Sequence, residues 1–369
     1  MKVLIIYHHS CADGSFAAAI AALAHAEEVC HFLASNYTPN NGDIVDAEGV
    51  PLDQRQDIMQ TNPVVEHEPG KEPVYQAGVQ YDKVIVVDFS LSERQMAVFT
   101  KRFGSNFIVL DHHNVRTRQR YEEECKKLDV APGPELIFNA SGSGALLAYM
   151  KNLSRFNGPA YNRFLGNLIR IAQMVSDRDT WQRSSTRAFE FYEGYAPEMF
   201  AEKDPSGVLC TEYPKTVLRA RSIIMTGDIE TIRAIGRERI VERNRKIEHM
   251  IEHNSLFDSG RGPIQCNHVV LPAERAIGSE AAHFVLENYP NFQLVIMPRT
   301  TKHKPDLVFI SCRSADQHEN STTSAKQIAM LFGGNGHANA AGWQMPRADF
   351  EALYPEVKLG QEEQDAVCC

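Results

Sequence analysis

The sequence predicts an α/β protein: a doubly wound, largely parallel sheet, then a smaller α/β domain, with the active site in the cleft between them. Three observations carry this prediction. Residues 3–7, 83–88 and 106–110 are almost continuously apolar and of strand length, as expected of strands covered on both faces. An Ala-rich helical stretch, 16–26, follows the first of them after a short turn. Each run ends in acids or histidines, and the carboxyl ends of strands are where open α/β sheets place their chemistry.

In chain order, the first strand leads into HHSCADGS, which sets His8, His9, Cys11 and Asp13 at its carboxyl end. Residues 37–80 are polar and rich in Pro, Gly, Asn and Asp, and read as an insertion or loop. The second strand, KVIVVD, closes on Asp88. The third runs into VLDHHN, presenting Asp111, His112, His113 and Asn114. A helical stretch, LIRIAQMVSDRDTW, ends in Asp177, Arg178 and Asp179. Residues 195–228 read as a connector, and 228–253 as a long helix in which Arg233, Arg237, Arg239, Arg243, Arg245 and Lys246 interleave with glutamates. That interleaving favours a solvated face with weak ion pairs over a nucleic-acid track. Strands near 265–271, 292–297 and 307–312, and helices over 278–289 and 324–331, build the second domain. The pattern dissolves into an acidic tail after Pro346. The domain limits so read are 1–195, a connector 196–258 that holds the long helix, 259–346, and a tail 347–369.

An Asp after a strand is commonly an N-cap or turn former. Four such ends are harder to explain that way. Carboxylates crowded without a cation repel one another, whereas Asp and His in number suit a pair of divalent metals. Two such ions, about 3.5–4 Å apart, serve phosphoester hydrolysis.

Downstream, FGGNGHANAAGW (332–343) combines Gly333, Gly334 and Gly336, whose backbone can approach an anion, with His337 as a donor. FISCRSAD (309–316) carries Arg313, whose planar fork suits phosphate, and Ser314.

With these motifs in this order, the chain resembles the DHH phosphoesterase superfamily over roughly 1–185 and 260–345. That superfamily includes RecJ-type exonucleases, nanoRNases, cyclic-dinucleotide phosphodiesterases and family II pyrophosphatases. The glycine segment resembles the GGxGHxxAAG signature of the C-terminal domain that accompanies the DHH domain. The resemblance implies that Asp88 bridges two metals, with His9 on the first and Asp13, His112 and Asp177 on the second. His113 would face the scissile phosphate, and Asp111 would orient a histidine or water. Arg313, Ser314, Gly333, Gly334, Gly336 and His337 would hold substrate phosphate. The implied ions are Mn²⁺ first and Mg²⁺ second.

One departure is plain: Cys11 stands where many relatives carry a metal-binding Asp. A neutral thiol is hardly a ligand for Mn²⁺, so Cys11 is expected to line the site without holding the ion strongly. Strand alternation puts His8 and His9 on opposite faces, and His9 is preferred for its spacing of four before Asp13. Asp179 is the alternative to Asp177.

Composition limits the substrate. A net charge of −9 disfavours holding long nucleic acid through phosphate contacts, and so favours short substrates. The reading is a phosphodiesterase that degrades short single-stranded oligonucleotides to mononucleotides, like an exonuclease or oligoribonuclease. The alternatives are a cyclic-dinucleotide or 3′-phosphonucleotide hydrolase, and an inactive nucleotide-binding protein. Eight cysteines without CxxC spacing point to reduced thiols. No apolar run reaches the roughly 18 residues of a membrane span, and no signal-peptide pattern precedes the first strand. The expectation is a cytoplasmic enzyme with no obligate protein partner; a homodimer stays open.

Overall fold

The computed structural model describes residues 1–38, 42–59, 64–66, 74–75, 81–113, 116–133, 136–139, 142–180, 185–201, 203–272, 277–315, 321–359 and 361–362. Two compact units divide at Arg237/Glu238.

The first unit is built on six strands in the order β7-β6-β5-β1-β2-β8. These are β1 (Lys2–His8), β2 (Val29–Ser35), β5 (Lys83–Val87), β6 (Phe107–Asp111), β7 (Leu136–Phe138) and β8 (Leu209–Cys210). All pair in parallel except β8, an antiparallel edge on β2. Two short strands, β3 (Val64–Glu66) and β4 (Val74–Tyr75), pair separately. The parallel order reverses at β1, which lies between β2 and β5; this is the switch point where doubly wound sheets bind ligands.

Alternation along the strands sorts the core into two layers. Val3, Ile5 and Tyr7 of β1 join Ile85, Val87, Ile108 and Leu110 under helices α1 (Ala12–Ala24), α5 (Gly144–Lys151), α7 (Leu165–Asp179), α8 (Thr186–Met199) and α9 (Lys215–Thr226). Leu4 and Ile6 join Val84, Val86, Phe107 and Val109 on the other face, under α3 (Glu93–Phe103) and α4 (Arg118–Lys127). Ile44, Leu52 and Ile58, the last on α2 (Gln56–Met59), are buried in that second layer, so part of the expected insertion is packed core. The rest of 37–80 falls largely outside the described residues. The short α6 (Pro159–Asn162) precedes α7. The stretch read as a connector holds α9, whose Val217, Ala220, Ile223 and Ile224 pack in the α1 layer.

Helix α10 (Ile229–Asn254) is the long helix expected, and the division between units falls inside it. Its N-terminal turns belong to the first unit, where Arg233 pairs with Glu190 and Glu230 at 2.6 Å each. Ile247 and Ile251 sit in the second unit's core. Lys246 pairs with Glu242 at 2.9 Å, in keeping with a salt-bridged, solvated face.

The second unit is a mixed sheet ordered β13-β14-β12-β11-β10-β9. Its strands are β9 (Leu256–Asp258), β10 (His268–Val270), β11 (Leu294–Thr301), β12 (Lys304–Ser314), β13 (Asn335–His337) and β14 (Ala340–Pro346), with β15 (Gln361–Glu362) beside β11. Helix α11 (Gly278–Asn288) packs on one face with Ile247 and Ile251. Helices α12 (Ala325–Leu331) and α13 (Arg347–Leu353) pack on the other. Residues 347–357, read as tail, therefore belong to the core: Phe350 and Tyr354, one helical turn apart, are both fully buried. The six described cysteines, Cys11, Cys30, Cys125, Cys210, Cys266 and Cys312, are all free. No helix among the described residues is long and apolar enough to cross a membrane.

His268 gives this unit a pH dependence. Its ring, fully buried, contacts the Cys266 carbonyl through Nδ1 and the Tyr354 hydroxyl through Nε2, both at 2.9 Å. Burial holds its pKa below the usual histidine value. The unfolded chain takes up the proton first, so the contribution is complete above about pH 6.5 and is lost as pH falls toward the folded-state pKa. Melting temperature should drop between about pH 7.5 and about pH 5.5, and less steeply in His268→Gln; equal slopes would assign the dependence elsewhere.

Candidate metal centre

The alternation that sorts the core also aims the site. His8 continues the face of Leu4 and Ile6 at the end of β1 and Asp111 that of Phe107 and Val109 at the end of β6, while Asp88, just past β5, departs from the alternation of its strand. Three adjacent parallel strands thus deliver polar side chains to one edge. Asp88 sits in the left-handed region with φ 61°, a conformation Asp tolerates better than most residues. Its N–H still donates to Leu110 O at 2.9 Å.

The side chains of Asp13, Asp88, His112 and Asp179 converge. His112 Nε2 lies 3.1 Å from Asp88 Oδ1, 3.2 Å from Asp179 Oδ2 and 3.7 Å from Asp13 Oδ2. On the other side of Asp88, His8 Nδ1 is 3.4 Å from Asp88 Oδ2. Donor atoms of His8, Cys11 and Asp88 form one group within 4.8 Å of one another, those of Asp13, His112 and Asp179 a second, and those of Asp88, His112 and His113 a third.

The charges are strongly coupled. Burial, then the charges of Asp88 and Asp179, push the Asp13 carboxyl well above its usual range; burial and Asp88 raise that of Asp179. Asp88 goes the other way: burial opposes its charge, but the histidines His112 and His8 outweigh it and hold the carboxyl well below the ordinary value. Burial, then Asp88, Asp179 and Asp13, push the Cys11 thiol up. His113 donates from Nδ1 to Asp111 Oδ1 at 2.8 Å; against burial, this bond and the nearby carboxylates raise its pKa to about 9. Asp111 is itself held by the hydroxyls of Tyr37, at 3.2 Å, and Ser90. Asp13 has a second task. Its two oxygens accept from the N–H groups of Gly144, at 2.5 Å, and Ala145, at 2.8 Å, and so cap α5.

Two expectations are corrected. His9 does not join the cluster. The chain turns at Ser10, with φ 52°, and the His9 ring donates from Nε2 to Asp204 O at 2.8 Å while Nδ1 accepts from the Asn36 amide at 3.2 Å. His8 takes its place: alternation separates the two histidines, and it is the His8 ring whose Nδ1 comes within 3.4 Å of Asp88 Oδ2. Asp177 is replaced by Asp179. Helix α7 continues through Asp179, and two residues are about 200° of helical rotation, so Asp177 turns away and accepts from Gln173 at 2.7 Å. Asn114 lies outside the described residues. Sequence reasoning passed over Gly144, Tyr37 and Ser90. The SGSG run at 141–144 signals a helix start but not what the helix approaches.

In the second unit Arg313, half-buried, donates from Nη2 to Ser279 Oγ at 3.0 Å and from Nη1 to Cys312 O at 2.9 Å, which leaves further N–H groups on its fork. Ser314, expected on phosphate, is buried. Its hydroxyl donates to Ala338 O at 2.9 Å and accepts from Ala325 N–H at 3.0 Å, tying β12 to the start of α12. Gly333, with φ 74°, ends α12 in the left-handed conformation. A Cβ on Gly334 would fall 2.3 Å from Gly342 O, so this glycine also serves close backbone packing. The His337 side chain lies outside the described residues.

No protein-family profile matches the sequence, and no curated protein matches it. Solved structures do. A pGpG-specific phosphodiesterase, PggH, from Vibrio cholerae is 15% identical over 95% of this chain and 96% of its own, with a TM-score of 0.49. Exonuclease RecJ bound to manganese is 14% identical over 95% of this chain and 87% of its own, with a TM-score of 0.44. The DHH domain of a protein described as a member of a family of ribosomal proteins is 13% identical over 96% of this chain and 86% of its own, with a TM-score of 0.51. At such identities likeness is one of fold, and the last of these, together with the switch-point sheet, gives the chain the fold of DHH-domain proteins.

Proposed function

We propose that the chain is a metal-dependent phosphodiesterase that hydrolyses short single-stranded oligonucleotides to mononucleotides. The carrying observation is the convergence of His8, Asp13, Asp88, His112 and Asp179 at the carboxyl edge of the switch point. The donor set fits divalent cations. Asp88 Oδ2 and His8 Nδ1 are buried without a hydrogen-bond partner among the described residues, and three carboxylates crowd one imidazole. Asp88 would be shared, with His8 on one ion and Asp13, His112 and Asp179 on the other; Mn²⁺ is the first choice and Mg²⁺ the second. Bound there, two ions supply charge neutralisation for the phosphoryl oxygens and activation of water.

The chain's own residues do the rest. Asp111, held by Tyr37 and Ser90, accepts from Nδ1 and fixes the His113 ring, so that Nε2 is the atom that would face a phosphoryl oxygen. Arg313 is the candidate phosphate contact of the second unit; it pairs with Ala340 of β14, whose partner on the other side is His337 of β13. Ser314 binds Ala338 O, just past β13, and the first N–H of α12. The acidic net charge of −9 supports short substrates. Linear oligonucleotides, cyclic dinucleotides and 3′-phosphonucleotides present the same phosphoester to these groups. The linear preference rests on the resemblance of the paired motifs to those of the two-domain nanoRNases.

Purified protein with Mn²⁺ on labelled dinucleotides, longer oligomers and cyclic dinucleotides tests this: linear dinucleotides should turn over fastest, and no turnover of linear oligomers sinks the proposal. Asp179→Asn should cost about 10²-fold or more in kcat, and Asp177→Asn less than about threefold; the reverse order would restore Asp177. Arg313→Ala should raise KM by about tenfold with kcat nearly unchanged. A fall in kcat alone would remove Arg313 from ground-state binding.

A further inference from the structure

The donors on the two sides of Asp88 differ in kind. Toward Asp13, His112 and Asp179 they are oxygen, nitrogen and oxygen. Toward His8 and Cys11 they are nitrogen, sulfur and oxygen, all within 4.8 Å of one another. We infer that Cys11 is a metal ligand, and that the His8–Cys11–Asp88 side selects a thiophilic divalent ion while the Asp13–His112–Asp179 side takes a harder one such as Mn²⁺.

Three observations support an unequal pair. Asp88 is fully buried, and its Oδ2 has no hydrogen-bond partner among the described residues; nor has the buried Nδ1 of His8, 3.4 Å away. Two orphaned atoms facing each other beside a thiol call for a common partner that accepts lone pairs from both. Second, Cys11 occupies the N-cap position of α1, where Ser, Thr, Asp or Asn would ordinarily accept a helix N–H, yet its side chain makes no capping bond. The Gly14 N–H faces the sulfur without making a full capping bond, so the N-cap role of this cysteine is a weak one. Third, a Cβ on Gly14 would fall 2.5 Å from His8 O, so the first turn of α1 is pressed against the end of β1 and holds Cys11 beside His8. On binding, the Sγ–H bond gives way to an Sγ–metal bond, the proton leaves to solvent, and no electron changes hands. Soft sulfur prefers Zn²⁺, Fe²⁺ or Co²⁺ to Mn²⁺, whereas carboxylate-rich sets suit Mn²⁺.

This inference rests on the two-metal reading above, and the test separates the two. The full-length protein, kept reduced with a phosphine, is titrated with Co²⁺ alone while near-ultraviolet absorption and calorimetric stoichiometry are followed. A thiolate-to-cobalt charge-transfer band should grow in with about one equivalent of the Co²⁺ bound. It should vanish in Cys11→Asp and in Cys11→Ala. Cys11→Asp should keep binding ions but lose preference for Co²⁺ over Mn²⁺ by about tenfold or more, since even outer partners of metal ligands are worth 10–100-fold. Co²⁺ bound with no band, or with the band or the preference unchanged in Cys11→Asp, overturns the thiolate and leaves the two-metal reading standing. Folded protein that binds no Co²⁺ at all overturns both.

Discussion

Asp88→Asn should leave a folded protein that no longer hydrolyses phosphodiesters. Asparagine is the informative substitution because it keeps the shape and, like aspartate, tolerates the left-handed backbone that residue 88 adopts at φ 61°. Alanine there would confound strain with chemistry. On the two-metal reading the variant loses the carboxylate charge common to the His8–Cys11 and His112–His113 donor groups, so neither ion would be held as before. Two ions supply several kcal/mol of transition-state stabilisation, and each 1.36 kcal/mol is tenfold in rate, so kcat should fall by about 10³-fold or more. Bound metal after dialysis should fall with it, while the circular dichroism of the sheet and helices stays the same. Activity within tenfold of the parent, with normal dichroism, would mean that Asp88 is not the shared ligand and that the proposed chemistry is misplaced.

The site was legible to the extent that strand periodicity reaches. Alternation along β1, β5 and β6 fixes which faces are buried, and the acids that follow necessarily leave from the carboxyl edge. Asp13, Asp88, His112, His113 and Asp111 could be read from the sequence for that reason. Alternation says that His8 and His9 diverge but not which one meets Asp88; that depends on which sheet face the neighbouring strands turn toward the site. The choice between Asp177 and Asp179 depends on how far α7 continues, and helix ends are the least determined part of any pattern. Helix α9 was read as connector, although its buried Val217, Ala220, Ile223 and Ile224 carry the three-to-four spacing of an amphipathic face; the polar, Pro-containing stretch before it masked the signal. In α13 the single pair Phe350 and Tyr354 is too short a pattern to stand out from an acidic surround. The glycine run was read as an anion cradle. Gly334 also has a packing reason invisible in one sequence, since only the fold shows that β14 passes 2.3 Å from where its Cβ would be.

Gly144→Ala should disable fold and site together through one methyl group. The added Cβ would stand 2.5 Å from Asp88 Cβ and 2.7 Å from Asp88 Cα, distances real Cβ atoms essentially never show. Neither atom is the end of a flexible side chain, so either α5 or the turn after β5 must move. Movement of α5 pulls the Gly144 and Ala145 N–H groups off Asp13, at present 2.5 and 2.8 Å from its oxygens, and leaves the first two N–H groups of the helix without that acceptor. Movement of the turn carries Asp88 away from His112, 3.1 Å distant. Overpacking of this kind costs about 1–3 kcal/mol, and a lost cap about 1 more. Gly166→Ala in α7 is the matched control, because nothing lies within 4 Å of the Cβ it would add. Alanine there should stabilise by about 0.5–1 kcal/mol. Thermal melts of the two variants should therefore shift in opposite directions, and only Gly144→Ala should lose metal affinity. If Gly144→Ala melted and bound metal like the parent, α5 would not be pressed against Asp88, and the coupling between helix cap and metal ligand would have no structural basis.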